Sequence, residues 1–184
     1  MGLIGENGAG KSTLIKLLLG VTPSDGGEIR VFGQEALTPR LRERIGVAFD
    51  QCWFSDALNL RDVEAILRGL YPRAWNTEMF FALADRLGLG AKQKIAEYSS
   101  GMKAKLGILS AVCHAPDLLV LDEPTNALDE DGVALLERII GEERERGVAL
   151  LVSSHDASFI DAVATRVYHM AFGKVRNAEE RGQV

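Results

Sequence analysis

Cysteine is scarce in this chain of 184 residues: it has only Cys52 and Cys113. Their spacing suits neither a metal site nor a disulfide framework, so both read as ordinary reduced thiols. No apolar run approaches the roughly 20 residues that cross a bilayer. Work on a membrane would therefore need a partner that spans it. The first motif begins almost at Met1, so no secretory leader is expected. Positive charge is also in deficit, with 21 Lys and Arg against 26 Asp and Glu and a net charge of −5. Composition thus gives no sign of a nucleic-acid surface. Internal repeats and heptad runs are missing too. What remains is 47% hydrophobic and 26% charged, the balance of a globular chain. Its length suits one domain over residues 1–184, with room for a small inserted lobe.

The stretch Gly5-Glu6-Asn7-Gly8-Ala9-Gly10-Lys11-Ser12-Thr13 fits the G-x-x-x-x-G-K-[ST] pattern. Its glycines let the backbone wrap closely around an anion, with amides pointing inward and a helix N-terminus behind them. Lys11 would reach the β- and γ-phosphates of a nucleotide, Ser12 would ligate Mg²⁺, and Thr13 would sit near the α-phosphate. The flanks agree with this. Leu3-Ile4 reads as a strand, and residues 11–19 read as a helix with Leu14, Ile15 and Leu18 on one face, closed by Gly20.

Further along, residues 28–32 alternate and predict a half-buried strand. Residues 39–44 predict a short basic helix, and 45–49 a buried strand running into Asp50-Gln51. From 52 to 98 strand signals vanish, and helical periodicity predicts an inserted lobe. One of its helices would bury Val63, Ile66, Leu67 and Leu70, the other Phe80, Leu83, Ala84 and Leu87. Trp53, Phe54, Tyr71 and Trp75 fall in or beside this lobe, with Trp53 and Phe54 suited to a docking surface. Ser99-Ser100 caps a helix whose stripe is Met102, Leu106, Leu109 and Cys113. The run 118–121 predicts a central parallel strand ending in Asp122-Glu123. A helix with Val133, Leu136, Ile139 and Ile140 inward comes next. It is followed by a buried strand ending at Ser153-Ser154-His155, a helix near 157–164 and a hairpin over 167–175.

Alternating strands and helices predict an α/β fold with a mostly parallel sheet, a P-loop NTPase core carrying the helical lobe. In such sheets ligands sit beyond the carboxyl ends of the strands. The phosphate loop, Asp50-Gln51, Asp122-Glu123 and His155 each follow a predicted strand, so they can share one rim. Asp122 can hold Mg²⁺, and Glu123 can polarise a water for in-line attack on a γ-phosphate. His155 can bond that phosphate or orient the water. Ser99, Ser100 and Gly101 at a helix start form a second anion-binding device, though a plain N-cap has the same pattern.

Together these residues resemble the nucleotide-binding domain of ABC transporters over essentially the whole chain. Residues 5–13 resemble its Walker A loop, and 118–123 its Walker B segment with the catalytic glutamate. Residues 126–129, ending in Asp129, resemble the D-loop, and His155 the switch histidine. Residues 98–102 stand where the signature L-S-G-G-Q belongs, with Tyr98, Ser100 and Met102 departing from it. That variant resembles the ABC-2 type exporter branch. The resemblance implies ATP and Mg²⁺ as cofactors, and Glu123 and His155 as catalytic residues. It implies Ser12, Asp122 and either Gln51 or Asp50 at the metal. It further implies a head-to-tail pair of ATPase domains, identical or not, in which Ser99, Ser100 and Gly101 close over the partner's nucleotide. A transmembrane permease subunit would dock on the lobe and hold the protein on the cytoplasmic face of the membrane; no nucleic acid is implied. The family's N-terminal β-hairpin, with its adenine-stacking aromatic, has no counterpart ahead of residue 5. Weaker adenine affinity, impaired turnover and an open edge at 28–32 are the expected consequences. Two other readings stay open: a nucleotide-binding module with little turnover, and a soluble ABC-type ATPase outside transport.

Overall fold

The computed structural model describes residues 1–35, 38–73 and 75–180; Ala74, inside the expected lobe, lies outside them. Six strands form one sheet in the order β2-β3-β4-β1-β5-β6. They are β1 (Gly2–Ile4), β2 (Ile45–Ala48), β3 (Leu118–Asp122), β4 (Ala149–Ser154), β5 (Arg166–Ala171) and β6 (Lys174–Glu180). All neighbours pair in parallel except β5 with β6, which form an antiparallel hairpin. The apolar run of β3 lies between β2 and β4, as a strand buried on both faces should. Its register sets Asp122 beside Ser153, and β1 aligns Ile4 with Ser154.

Among the described residues seven helices connect the strands: α1 (Lys11–Leu18), α2 (Pro39–Arg42), α3 (Leu60–Leu70), α4 (Thr77–Arg86), α5 (Ser100–Val112), α6 (Glu130–Glu145) and α7 (Ala157–Val163). Side chains cap all of these except α1, with Thr38 on α2. Asn59 and Asp62 make a reciprocal capping box on α3, Asn76 caps α4, Ser99 caps α5, Asp129 caps α6 and Asp156 caps α7. Each such cap satisfies otherwise orphaned amides and is worth about 1 kcal/mol. The segment 52–98 holds α3, α4 and a 3-10 turn at Ile95–Glu97, and none of the six strands. Its side chains Val63, Leu67, Phe80 and Leu83 run without a break into Leu106 and Leu109 of α5. The α3–α4 layer therefore shares the main core. Glu64, buried in that layer, accepts hydrogen bonds from Trp75 Nε1 at 2.9 Å and Thr77 Oγ1 at 2.7 Å and ties α3 to α4.

Two expectations need correction. Residues 28–32 form no strand: Val31 bridges only to Gln34, over a tight turn in which Phe32 and Gly33 have φ of 53° and 76°. Alternation matched a strand there, but a strand also needs a neighbour. The open edges of the sheet are β2 and β6. On α3 the buried stripe is Leu60, Val63, Glu64 and Leu67, while Ile66 and Leu70 are exposed. The stripe turns one position away from the expected one because the capped start at Asn59 directs Leu60 inward.

Candidate functional site

Four loops meet at the carboxyl rim of the sheet. The first, residues 5–10 between β1 and α1, curls around its own lysine. Lys11 Nζ, 4% exposed, donates to the carbonyls of Gly5 at 2.6 Å and Glu6 at 3.2 Å. Gly10 precedes α1 with φ of 103°, a left-handed backbone that side chains with a Cβ avoid. The Ala9 amide donates to the Glu6 carbonyl at 3.1 Å, and the turn leads directly into the α1 N-terminus, whose amides suit an anion.

From the β3 end, Glu123 Oε1 forms an ion pair with Lys11 Nζ at 2.8 Å. From the β4 end, His155 Nδ1 lies 2.9 Å from Glu123 Oε2, and the His155 amide donates to the same oxygen at 3.3 Å. Glu123 itself has φ of 50°. Such left-handed strain in a residue other than glycine persists only where surroundings hold it, and it gathers at functional sites. Here the Glu123 amide donates to the Ser153 carbonyl at 3.1 Å and to Ser153 Oγ at 3.0 Å. Burial works to raise the Glu123 pKa, but the hydrogen bonds from Lys11 and then His155 outweigh it, and the carboxyl is held below its ordinary value. It is therefore a carboxylate at neutral pH.

Asp122 Oδ1 accepts from Ser12 Oγ at 3.1 Å and from Ser153 Oγ at 2.6 Å. Neighbouring oxygens on an octahedral Mg²⁺ with bonds of 2.0–2.1 Å lie about 3 Å apart, so Ser12 and Asp122 fit such an ion. Among the described residues no group of three His, Cys, Asp or Glu side chains forms a metal cage.

The rim thus joins Gly5, Lys11, Ser12, Asp122, Glu123 and His155. Ser153 belongs with them and escaped the sequence reading. Its signal was a serine pair closing an otherwise apolar strand, but its role depends on the β3–β4 register. Asp50 and Gln51 part ways: Asp50 Oδ1 accepts from Asn126 Nδ2 at 3.1 Å, whereas Gln51 lines a groove with Trp53. Ser99, Ser100 and Gly101 have no hydrogen bond or ion pair to residues 5–13 among the described residues. Ser99 Oγ accepts from the Met102 amide at 3.1 Å, and Gly101 lies against the Ala127 carbonyl, closely enough that a Cβ would come within 2.9 Å of it. Asp129 Oδ1 accepts from the Gly132 amide at 2.9 Å.

Comparison with known proteins gives a consistent result. The ABC transporter family model matches residues 1–126. The chain is 34% identical over 182 residues to the bacitracin transport ATP-binding protein BcrA of Bacillus licheniformis, covering 95% of this chain and 58% of that one. It is 34% identical over 175 residues to the lantibiotic transport ATP-binding protein SrtF of Streptococcus pyogenes, covering 94% and 75%. The chain thus spans only part of the length of these relatives. Among solved structures, an ATP-binding subunit of an ABC transporter superposes with a TM-score of 0.87 at 24% identity, over 97% of this chain and 77% of that one. The dimeric cassette MJ0796 gives 0.86 at 24% identity, over 99% and 85%. These structures share the fold of the chain described above.

Proposed function

Since this chain belongs to the ABC transporter family of ATP-binding proteins, we propose that it is the ATP-hydrolysing subunit of an ABC exporter. The observation that carries this reading is the Lys11–Glu123–His155 chain of contacts beside the Ser12–Asp122 pair, drawn from three separate strand ends. Residues 5–13 cradle the triphosphate, and Ser12 and Asp122 would hold Mg²⁺. When bound, the cation neutralises charge on the β- and γ-phosphates. A γ-phosphate oxygen takes the place of Glu123 at Lys11. Glu123, kept ionised and oriented by His155, then accepts a proton from the attacking water as its oxygen bonds to phosphorus. The bond to the β-phosphate oxygen breaks on the far side, and ADP leaves. Of the two metal candidates after β2, the contact with Asn126 on the rim favours Asp50.

Turnover needs a second ATPase domain, whose Ser99, Ser100 and Gly101 close the site from outside, with Asp129 at the seam. The permease partner fits the apolar groove of about 390 Å³ lined by Val21, Val47, Phe49, Trp53, Leu67 and Tyr71. Trp53 is 74% exposed at its mouth. No helix among the described residues is long and apolar enough to cross a membrane; attachment at the inner face would come through that partner. The names of the bacitracin and lantibiotic relatives favour a peptide-like cargo.

The test is ATP hydrolysis with Mg²⁺, by the chain alone and with its permease. Glu123→Gln is expected to lower kcat about 100-fold or more while ATP still binds. Wild-type turnover no faster than Glu123→Gln under both conditions would sink the enzymatic reading.

A further inference from the structure

Phe172 is 89% exposed, the most exposed large apolar side chain described. It sits at the turn between β5 and β6, where Phe172 and Gly173 have φ of 52° and 71°. Two-residue turns with both central φ positive favour Asn, Asp or Gly. An aromatic ring therefore stands, at a cost in backbone strain, where a small polar residue would be easier. The turn is fastened to the phosphate loop, since the Gly173 amide donates to the Ala9 carbonyl at 2.9 Å. Between them lies a pocket of about 480 Å³ lined by residues 4–9, His169, Phe172 and Arg176.

The position of this pocket is informative. Glu123 and His155 follow β3 and β4, on one side of β1, while β5 and β6 lie on the other. In-line attack puts the water and the leaving oxygen on opposite sides of the γ-phosphorus. With water on the Glu123 side, the rest of the nucleotide extends toward the β5–β6 flank, where the exposed ring stands.

Resting on the nucleotide reading above, we propose that Phe172 stacks on the base of the bound nucleoside triphosphate, with the Arg176 guanidinium beside it. Stacking of this kind is tolerant of base identity, because every base has a π-face.

The test compares Mg·ATP with Mg·tripolyphosphate, which has the phosphates but no base, in equilibrium titrations. Phe172→Ala is expected to weaken ATP roughly ten-fold and to leave tripolyphosphate unchanged. Phe172→Trp is expected to keep ATP affinity, and its indole fluorescence to change with ATP but not with tripolyphosphate. Equal effects of Phe172→Ala on both ligands, no effect on either, or a Phe172→Trp protein that behaves like Phe172→Ala would overturn the assignment. Failure of the wild-type chain to bind tripolyphosphate as well as ATP would remove the phosphate site itself, and this subsite with it.

Discussion

On one face of the sheet, Leu119, Leu121, Val152 and Val167 meet side chains of α5, α6 and α7, backed by α3 and α4. On the other, Leu3, Val120, Leu151 and Met170 meet Ile15 and Leu19 from the α1 region, with Val31 beside them. The first face is a thick apolar stack, and the second is covered by a helix of eight residues. The chemistry gathers at the rim where α1 begins, and the open groove lies alongside it. Stability is thus expected to reside mainly in the thick face, leaving the thin one able to admit a nucleotide.

The sharpest way to break this division is Phe80→Ala. Phe80 is fully buried in the thick stack, against Trp75 and Phe81. Its truncation is expected to cost about 3–5 kcal/mol in chemical denaturation. Affinity for ATP per folded molecule should not change. A loss under about 1 kcal/mol would mean that the α3–α4 layer contributes little to the common core.

Ser153→Ala tests the junction of the two regions. The hydroxyl is buried between Asp122 Oδ1 and the Glu123 amide, so its loss leaves both short of a partner. Asp122 keeps Ser12 and the Glu123 amide keeps the Ser153 carbonyl, so the expected cost is about 0.5–1.5 kcal/mol of stability. Turnover should fall by more than ATP affinity, because the strained Glu123 loses a support. Unchanged kcat with unchanged stability would show that the Asp122–Ser153 contact is incidental.

Ser153 also shows why part of the site was illegible beforehand. Lys11, Ser12, Asp122, Glu123 and His155 each announce themselves locally, because a charged or polar residue directly follows an apolar strand or a glycine loop. Ser153 looks like a strand end until the register sets it beside Asp122. The same holds for larger pieces. The parallel strands were legible because burial on both faces makes them continuous apolar runs. Residues 28–32 carried the right alternation, yet pairing depends on a neighbour that a local pattern cannot supply. On α3, Ile66 and Leu70 repeat at helical spacing as well as Val63 and Leu67 do. Which set faces inward was decided by the Asn59 cap and by Phe80 and Leu106 across the interface. Gln51 and Asp50 differ by one residue and point to different neighbours, which only the path after β2 resolves.

Two buried glutamates extend the comparison to pH. Glu143, on α6, has its pKa raised by burial, which outweighs its ion pair with Arg146 at 2.8 Å. Glu123 has its pKa lowered on balance. The ordinary value for both is 4.5. A raised folded pKa gives stability that is full below 4.5 and is lost as pH rises through the folded value. A lowered one gives stability that is present above 4.5 and is lost as pH falls through the folded value. Relative to wild type, Glu143→Gln should therefore be most favourable near neutral pH, and Glu123→Gln least favourable there. Urea denaturation across acid and neutral pH measures both. Slopes of the same sign would show that the two carboxyls share one electrostatic setting.

The two cysteines give the smallest effect in free energy and compare the interior of the thick stack with the groove at its border. Cys113 ends α5 inside the thick stack, is 1% exposed, and burial pushes its thiol pKa up to about 12. Thiolate, the reactive form, is then negligible at neutral pH, and the sulfur is also shielded. Cys52 is half-buried and lines the groove beside Trp53. A thiol reagent at neutral pH is expected to modify one cysteine in the native protein and two after denaturation, counted by mass spectrometry. The native adduct should fall on Cys52. Because the groove is separate from the Lys11–Glu123–His155 chain, an adduct there should leave ATP affinity unchanged while blocking association with the permease. Modification of Cys113 at a comparable rate would mean that the interior of the thick stack opens as readily as the groove at its border, and the contrast between them would fail.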